Sequence, residues 1–391
     1  MARKRIGVGL IGAGWMGRVH SKCLTTQSAV FGPDPEISLE VVVDITEELA
    51  RNASSSFGFK RYATDWREVI DDPSVDIVDI VTPNDAHYDI AMAAIARGKH
   101  IYCEKPLAND AGKAREMTDA AERAGVITMV GFNYIKNPVQ TLVRRVIADG
   151  EIGEVKHFGG WMNSDFMGRP DIPHSWRNET ARAGSGAIGD IGSHMVAFFY
   201  HLVGREFVDI ISSHTIVVPE RPAPTALGGY SQTASGKNAR TIRNQTDDIS
   251  TTMFHFDGGT GQFECSRVAL GRRVDIGYAI VGTKGSVRYS YDHINRFELY
   301  REEGPVELRG FTQIEMGPSD PRFAAFHPIA GLGLGYDDYK TMELRDMIDA
   351  VIAGKPAYPD FGFATRVQRI VDSAIRSDAE RRWVELSEMP G

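Results

Sequence analysis

Apolar positions along this chain follow two rhythms. In the first third, short aliphatic runs alternate with stretches of helical spacing. The run Ile6–Ile11 ends in a glycine turn, and the β-branched run Leu39–Val43 ends at Asp44. Thr46 then reads as an N-cap, with Glu47 and Glu48 favourably placed in a first helical turn. Ile77–Val81 forms the next strand signal, stopped by Thr82, Pro83 and Asn84. A helix is expected over 86–97, ending at Gly98, then a strand over His100–Cys103. A helix over 110–124 closed by Gly125 and a strand over 126–130 complete the series. Strands and helices alternating through short connections predict a parallel, doubly wound sheet with right-handed crossovers. One segment departs from the rhythm. Residues 25–38, with Pro33 and Pro35, lengthen the usual distance from glycine turn to acidic residue by roughly ten positions, and read as a surface insertion after the first helix.

Beyond residue 131 a helix over 138–149 leads into strand signals near 155–166, 207–218, 250–256, 261–267, 274–281 and 286–291. Polar and glycine turns separate them, as at Asp257–Gly259 and Gly282–Gly285. Strands without intervening helices predict a mostly antiparallel sheet. Residues 223–244 read as a long mobile loop, and helices near 339–353 and 365–378 end the chain. The expected fold is α/β: a doubly wound parallel sheet in residues 1–131, followed by an α/β domain with a mostly antiparallel sheet in residues 132–391.

Three constellations carry chemistry. Gly12, Gly14 and Gly17 follow a strand and open a helix. The first allows the tight turn, the second lets backbone approach a pyrophosphate, and the third lets helix pack on strand. Free N–H groups at the helix start then face the phosphates. Asp44, at the end of the next strand, is placed to accept both adenosine-ribose hydroxyls and to repel a 2′-phosphate. Ile45 and Thr46 supply no arginine to offset that repulsion, so NAD is favoured over NADP. The second constellation is Glu104, Lys105 and Pro106 at the end of the His100–Cys103 strand. In an open α/β sheet ligands collect at the carboxyl ends of strands. An ammonium there can stabilise the alkoxide that develops as hydride leaves a carbinol, and Pro106 could aim it through a cis bond. The third is the glycine-rich run Gly184–His194. Asp190 and His194 are four residues apart, so a helix starting near Asp190 would place them on one face. Histidine can take a hydroxyl proton near neutral pH, and a carboxylate can orient it. The same pair could instead be a capping aspartate with a core histidine. No third ligand with convincing spacing suggests a metal.

Composition narrows the classes. The 391 residues are 42% hydrophobic and 25% charged, with mean hydropathy −0.24. A formal charge of −8 offers no general attraction to nucleic acid or anionic membrane. Three scattered cysteines without a Cys-x-x-Cys suggest neither disulfides nor a thiolate metal site. Arg3–Arg5 precedes a strand rather than a signal-type apolar segment, and a cytoplasmic location is expected.

Together, Gly12–Gly17, Thr82-Pro83-Asn84 with His87, Gly98–Leu107, Gly131–Asn133 and Gly184–His194 resemble the Gfo/Idh/MocA oxidoreductase family over nearly the whole chain. The resemblance implies that the first domain is a Rossmann domain and that the second carries a large open sheet, one face of which lines the substrate site. The other face commonly makes the contacts of a homodimer or homotetramer. It places catalytic roles on Lys105, Asp190 and His194. Cofactor contacts fall on Gly12, Gly14, Trp15, Met16, Gly17, Asp44, Thr82, Pro83, Asn84, His87, Glu104, Lys105 and Asn133. Lys105, Asn133, Trp176, Arg177, Asp190 and His194 are expected to touch substrate. Trp176 and Arg177, the segment after the first helix and Gly335–Asp338 resemble the anhydrosugar- and glucoside-oxidising branch. A tryptophan there can pack on a sugar's apolar face while arginine bonds hydroxyls; a core tryptophan beside a snorkelling arginine reads equally well. The expected activity is NAD-dependent oxidation of a ring secondary alcohol of a sugar, anhydrosugar, glycoside or cyclitol. An NAD-dependent redox-elimination glycosidase and a non-catalytic sugar sensor are the alternatives.

Overall fold

The computed structural model describes residues 4–224 and 240–389, and the elements below are those of these residues. They divide into two compact units, one of residues up to 133 with 336–368, the other of the remainder. A linear division near residue 131 does not contain this feature: the segment 336–368 belongs with the N-terminal unit.

The first unit is built on β1 (Arg5–Ile11), β2 (Glu36–Val43), β3 (Arg61–Ala63), β4 (Ile77–Ile80), β5 (His100–Cys103) and β6 (Thr128–Val130). All neighbours run parallel, in the order β3-β2-β1-β4-β5-β6. The order reverses between β1 and β4, the switch point where ligands sit in doubly wound sheets. The central strands β1 and β4 are buried on both faces, hence their near-continuous apolar runs. The first helix runs Trp15–Phe31, through much of the segment read as an insertion. Only Gly32–Pro35 connects it to β2, and the Asp34–Pro35 peptide is cis. Tertiary packing overrides the weak helix propensity of Thr25, Thr26 and Ser28. Leu24 shares a core with Leu344, Met347 and Ile348 of the returning helix Tyr336–Ala353, and Gln27 Nε2 donates to the Thr341 carbonyl at 2.9 Å.

The second unit carries β7 (Val155–Asn163), β8 (Phe207–Thr215), a ribbon of β9 (Glu220–Pro222) with β10 (Thr241–Arg243), and β11 (Ile249–Phe256). Next come β12 (Gly259–Ser266), β13 (Asp275–Gly282), β14 (Gly285–Ser290), β15 (Arg296–Arg301), β16 (Thr312–Glu315) and β17 (Val384–Glu385). Nine of these form one sheet, β16-β15-β14-β13-β7-β12-β11-β8-β17, antiparallel except for β7 and β12. Of the segment read as a loop over 223–244, residues 225–239 lie outside the described residues, whereas 241–243 pair as a strand. Strands β15 and β16 were not anticipated; their many charged and polar residues obscure the alternation.

The helix Ser193–Leu202 is buried along its whole length. Phe199 anchors it, with ring centroids 4.7 Å from Phe207, 5.1 Å from Phe254 and 5.5 Å from Phe158. No helix among the described residues is long and apolar enough to cross a membrane. Phe199→Ala is expected to lower unfolding free energy by ~3–5 kcal/mol, through lost burial and a cavity. Denaturant titration of the purified protein checks this.

Candidate active site

In the first unit, backbone geometry builds the glycine turn. Gly12 adopts φ +109°, and its N–H donates to the Val43 carbonyl at 2.8 Å. A side chain on Gly17 would come within 2.0 Å of the Gly12 carbonyl oxygen, so this glycine closes helix on turn. Gly14 is different: a Cβ there would meet nothing within 4 Å. The helix that follows, Trp15–Phe31, has no side-chain cap at its start. Trp15 is half exposed and stacks on Tyr336 of the returning helix at 6.0 Å, and the Tyr336 hydroxyl reaches the Met16 sulfur at 3.5 Å.

Asp44 accepts the Ala13 N–H at 2.9 Å on one oxygen and the Thr46 N–H at 3.2 Å on the other. A carboxylate offers about four lone-pair sites, so acceptor capacity remains. Thr46 occupies the N-cap position of the helix Glu47–Phe57, as expected, but its hydroxyl turns back to Asp44 at 3.3 Å instead of bonding a first-turn N–H. Thr82, Pro83 and Asn84 follow the end of β4, and the Thr82 hydroxyl is a buried polar atom without a hydrogen-bond partner. His87 is fully buried and bridges two carbonyls, Pro106 at 2.9 Å and Thr82 at 3.0 Å. Burial lowers its pKa, against the raising effect of those bonds. The ring thus ties the loop after β4 to the loop after β5. The Lys105–Pro106 peptide is cis. Asn133 ends the unit, buried, its amide nitrogen without a partner.

Glu104 stands apart among these residues. Its carboxylate lies in a buried charge network: Oε1 receives His20 Nε2 at 3.0 Å and Lys340 Nζ at 2.7 Å. His20 Nδ1 meets Asp79 at 2.9 Å. Lys340 also bonds Glu343 at 2.7 Å and the Tyr102 hydroxyl at 2.9 Å, and Tyr102 donates to Glu343. Burial would raise the Glu104 pKa, but the charges of Lys340 and His20 and their hydrogen bonds hold it far below the usual carboxylate range. Burial likewise opposes charge on His20 and Lys340, yet their carboxylate neighbours raise both. Gly131 makes the space: a Cβ there would lie 2.5 Å from Glu104 Oε1.

In the second unit, the glycine-rich run folds into a π-helical turn, Ile188–Gly192, continued by the helix Ser193–Leu202. Asp190 sits in the wide turn and His194 in the first turn after it. The helix therefore begins before Asp190, and i→i+5 bonding replaces the regular α-helical face expected there. The glycines serve packing inside the protein: a Cβ on Gly186 would lie 2.0 Å from the Asp247 carbonyl oxygen, and one on Gly192 3.0 Å from Cys265 Sγ. Asp247 caps the run, accepting the N–H groups of Gly186 and Ile188 at 2.8 and 2.9 Å. His194 is buried, with the Tyr134 ring edge-on at 4.9 Å.

Asp190 Oδ2 lies 3.7 Å from Arg177 Nε and 3.8 Å from Arg267 Nη1. Arg177 covers one face of Trp176, its guanidinium carbon 4.2 Å from a ring centroid. Arg267 is wholly buried and tethered to the Asp247 carbonyl at 2.8 Å and the Thr246 hydroxyl at 3.1 Å. The sequence did not single out Arg267, Asp247, His20 or Lys340. His20 and Lys340 sit in ordinary helical segments, Arg267 at a strand end and Asp247 in the connection between β10 and β11, and each meets partners remote in the chain.

Comparison with known proteins decides the family. Residues 6–132 match the model described as "Oxidoreductase family, NAD-binding Rossmann fold", and residues 141–288 match the GFO/IDH/MocA C-terminal domain. The chain belongs to the Gfo/Idh/MocA oxidoreductase family. It is 35% identical over 388 residues to levoglucosan dehydrogenase of Pseudarthrobacter phenanthrenivorans, covering 99% of both chains. Identity to inositol 2-dehydrogenase of Rhizobium meliloti is 25%, over 97% of this chain and 98% of that one. A solved levoglucosan dehydrogenase with NADH and levoglucosan superposes with a TM-score of 0.90 at 34% identity, covering 98% of this chain and 100% of the other.

The residues of the first unit fit NAD, the cofactor of this family's Rossmann domain. Open space above Gly14, a helix start without a side-chain cap, and buried unpartnered polar atoms on Thr82 and Asn133 are what a dinucleotide would fill. Gly14 and Gly17 should therefore separate in their effects. Gly14→Ala is expected to keep the melting temperature while weakening NAD binding by about tenfold, ~1.4 kcal/mol. Gly17→Ala is expected to lower the melting temperature itself. Calorimetric titration alongside thermal melting checks both.

Proposed function

We propose that this oxidoreductase is an NAD-dependent dehydrogenase that oxidises a ring secondary alcohol of a sugar or anhydrosugar to a ketone, with levoglucosan the first candidate. The observation that carries the reading is the Asp190 carboxylate, flanked by two guanidinium groups four residues before a buried histidine. A carboxylate so placed is stabilised in its ionised form and accepts hydrogen bonds. A polyhydroxylated ligand donates them.

His194 takes the proton of the reacting hydroxyl as the carbinol C–H bond breaks and the C=O bond forms. NAD, when bound, accepts the hydride. Lys105 stabilises the alkoxide character that develops on the oxygen. Asp190 orients His194 or accepts a neighbouring hydroxyl, while Arg177 and Arg267 keep it charged. Asp44 holds the adenosine ribose and disfavours a 2′-phosphate. Likeness over the full length to a levoglucosan dehydrogenase, together with inositol-oxidising relatives, supports this substrate class.

The test is NADH formation with NAD or NADP against levoglucosan, glucose, xylose, methyl glucosides and inositols. Turnover of at least one of these with NAD is expected. Full activity with NADP alone, or no turnover with any of them despite NAD binding, would overturn the reading. His194→Ala is expected to lower kcat by ~10²–10⁴-fold, and Lys105→Ala by ~10²–10³-fold, with NAD affinity little changed. Loss of NAD binding in step with turnover would assign both residues to pocket shape instead.

A further inference from the structure

The catalytic role proposed for Lys105 leaves its support unexplained. The residue sits directly after Glu104, whose second oxygen, Oε2, accepts the Lys105 backbone N–H at 3.2 Å. The first oxygen is committed to His20 and Lys340. Both ring nitrogens of His20 face carboxylate oxygens, on Asp79 and Glu104, and against the opposing effect of burial these anions raise its pKa and favour the doubly protonated, cationic ring. Three carboxylates, Asp79, Glu104 and Glu343, thus face two cations, His20 and Lys340, and Lys340 is completely buried.

We propose that Lys340 is a positioning residue for the reaction: it holds Glu104 as a carboxylate, and the carboxylate in turn fixes the backbone that carries Lys105. The inference rests on the reading of Lys105 given above. Lys340 lies on the returning helix Tyr336–Ala353, more than two hundred residues from the strand end it secures. Without its charge, Glu104 would share one cation with two other carboxylates in an interior that disfavours ions. It would then take up a proton in the accessible pH range. The groups facing it are Lys340 and Glu343 from the returning helix, His20 from the first helix, Asp79 from β4, Tyr102 and Cys103 from its own strand, and His87 from the helix after β4. Of these only Lys340 and His20 favour the charged carboxylate through direct contact. A protonated Glu104 is a poorer acceptor for the Lys105 N–H, and small displacements of a catalytic group cost up to about a hundredfold in rate.

The sign of each neighbour's effect makes the test specific. Removing the charge of Lys340 removes a cation and raises the Glu104 pKa. Glu343→Gln removes an anion and lowers it. In Lys340→Met, kcat is expected to fall about tenfold to a hundredfold, with the acid limb of its pH profile displaced upward by about one to two units. In Glu343→Gln that limb stays at or below its wild-type position. Lys340→Gln, which keeps a donor without the charge, is read in place of Lys340→Met if the latter does not fold. A second readout is independent of turnover: the Lys105 amide resonance in protein labelled with ¹⁵N-lysine, assigned by its loss in Lys105→Arg. It should be flat with pH in wild type and titrate with Glu104 in Lys340→Met. A wild-type amide that titrates near neutral pH would overturn the proposal without any network variant. So would a flat amide in the folded Lys340 variant, or acid limbs that move the same way in both variants. If instead Lys105→Ala keeps full turnover, the reading of Lys105 fails, whatever the amide shows.

Discussion

A carboxylate sealed inside a protein must be matched by charge and hydrogen bonds, and the first unit is organised around meeting that requirement at Glu104. An uncompensated buried ion costs several kcal/mol even after relaxation. Here the compensation comes from the first helix through His20 and from the returning helix through Lys340. Gly131 lacks a side chain because the carboxylate occupies the space. The chain's return at residues 336–368 delivers both the ammonium and the apolar face that completes the core beside β1 and β2. The nicotinamide-binding half of this fold is therefore not a contiguous module: its strand-end lysine leans on a residue from the last fifth of the sequence.

The second unit solves a similar problem with the opposite residue type. Arg267 is a buried guanidinium, tethered by Thr246 and Asp247 and turned toward Asp190. Asp247 meanwhile caps the π-helical turn on which Asp190 stands. One short stretch, residues 244–248, thus serves both the acid that caps the turn and the cation that faces its carboxylate. The π turn widens the helix where Asp190 departs from it, as such turns do at functional sites.

How much of this was legible in the sequence depended on whether a signal was local. The parallel sheet was, because strand runs, glycine caps and the turn at Gly12–Gly17 each follow from neighbouring residues. The end of the first helix was not: Pro33 and Pro35 advertised a break, but packing on the distant returning helix carries the helix through Phe31. Asp190 and His194 announced themselves by type and spacing, yet the π turn between them did not, since it depends on Asp247 and Cys265 pressing on the glycines. Glu104 was read as lining the cofactor. In the structure its carboxylate faces His20 and Lys340, partners that no spacing rule connects. Trp176 and Arg177 were visible as a pair, but not that the guanidinium covers the indole.

The proposed dehydrogenase reaction requires that hydride leave a ring carbinol carbon for the nicotinamide. It is tested most directly with levoglucosan carrying deuterium on its ring carbinol carbons, followed by mass analysis of the NADH produced. Each NADH formed is expected to carry one deuterium. NADH that forms without deuterium, or a labelled sugar consumed with no NADH at all, would contradict it.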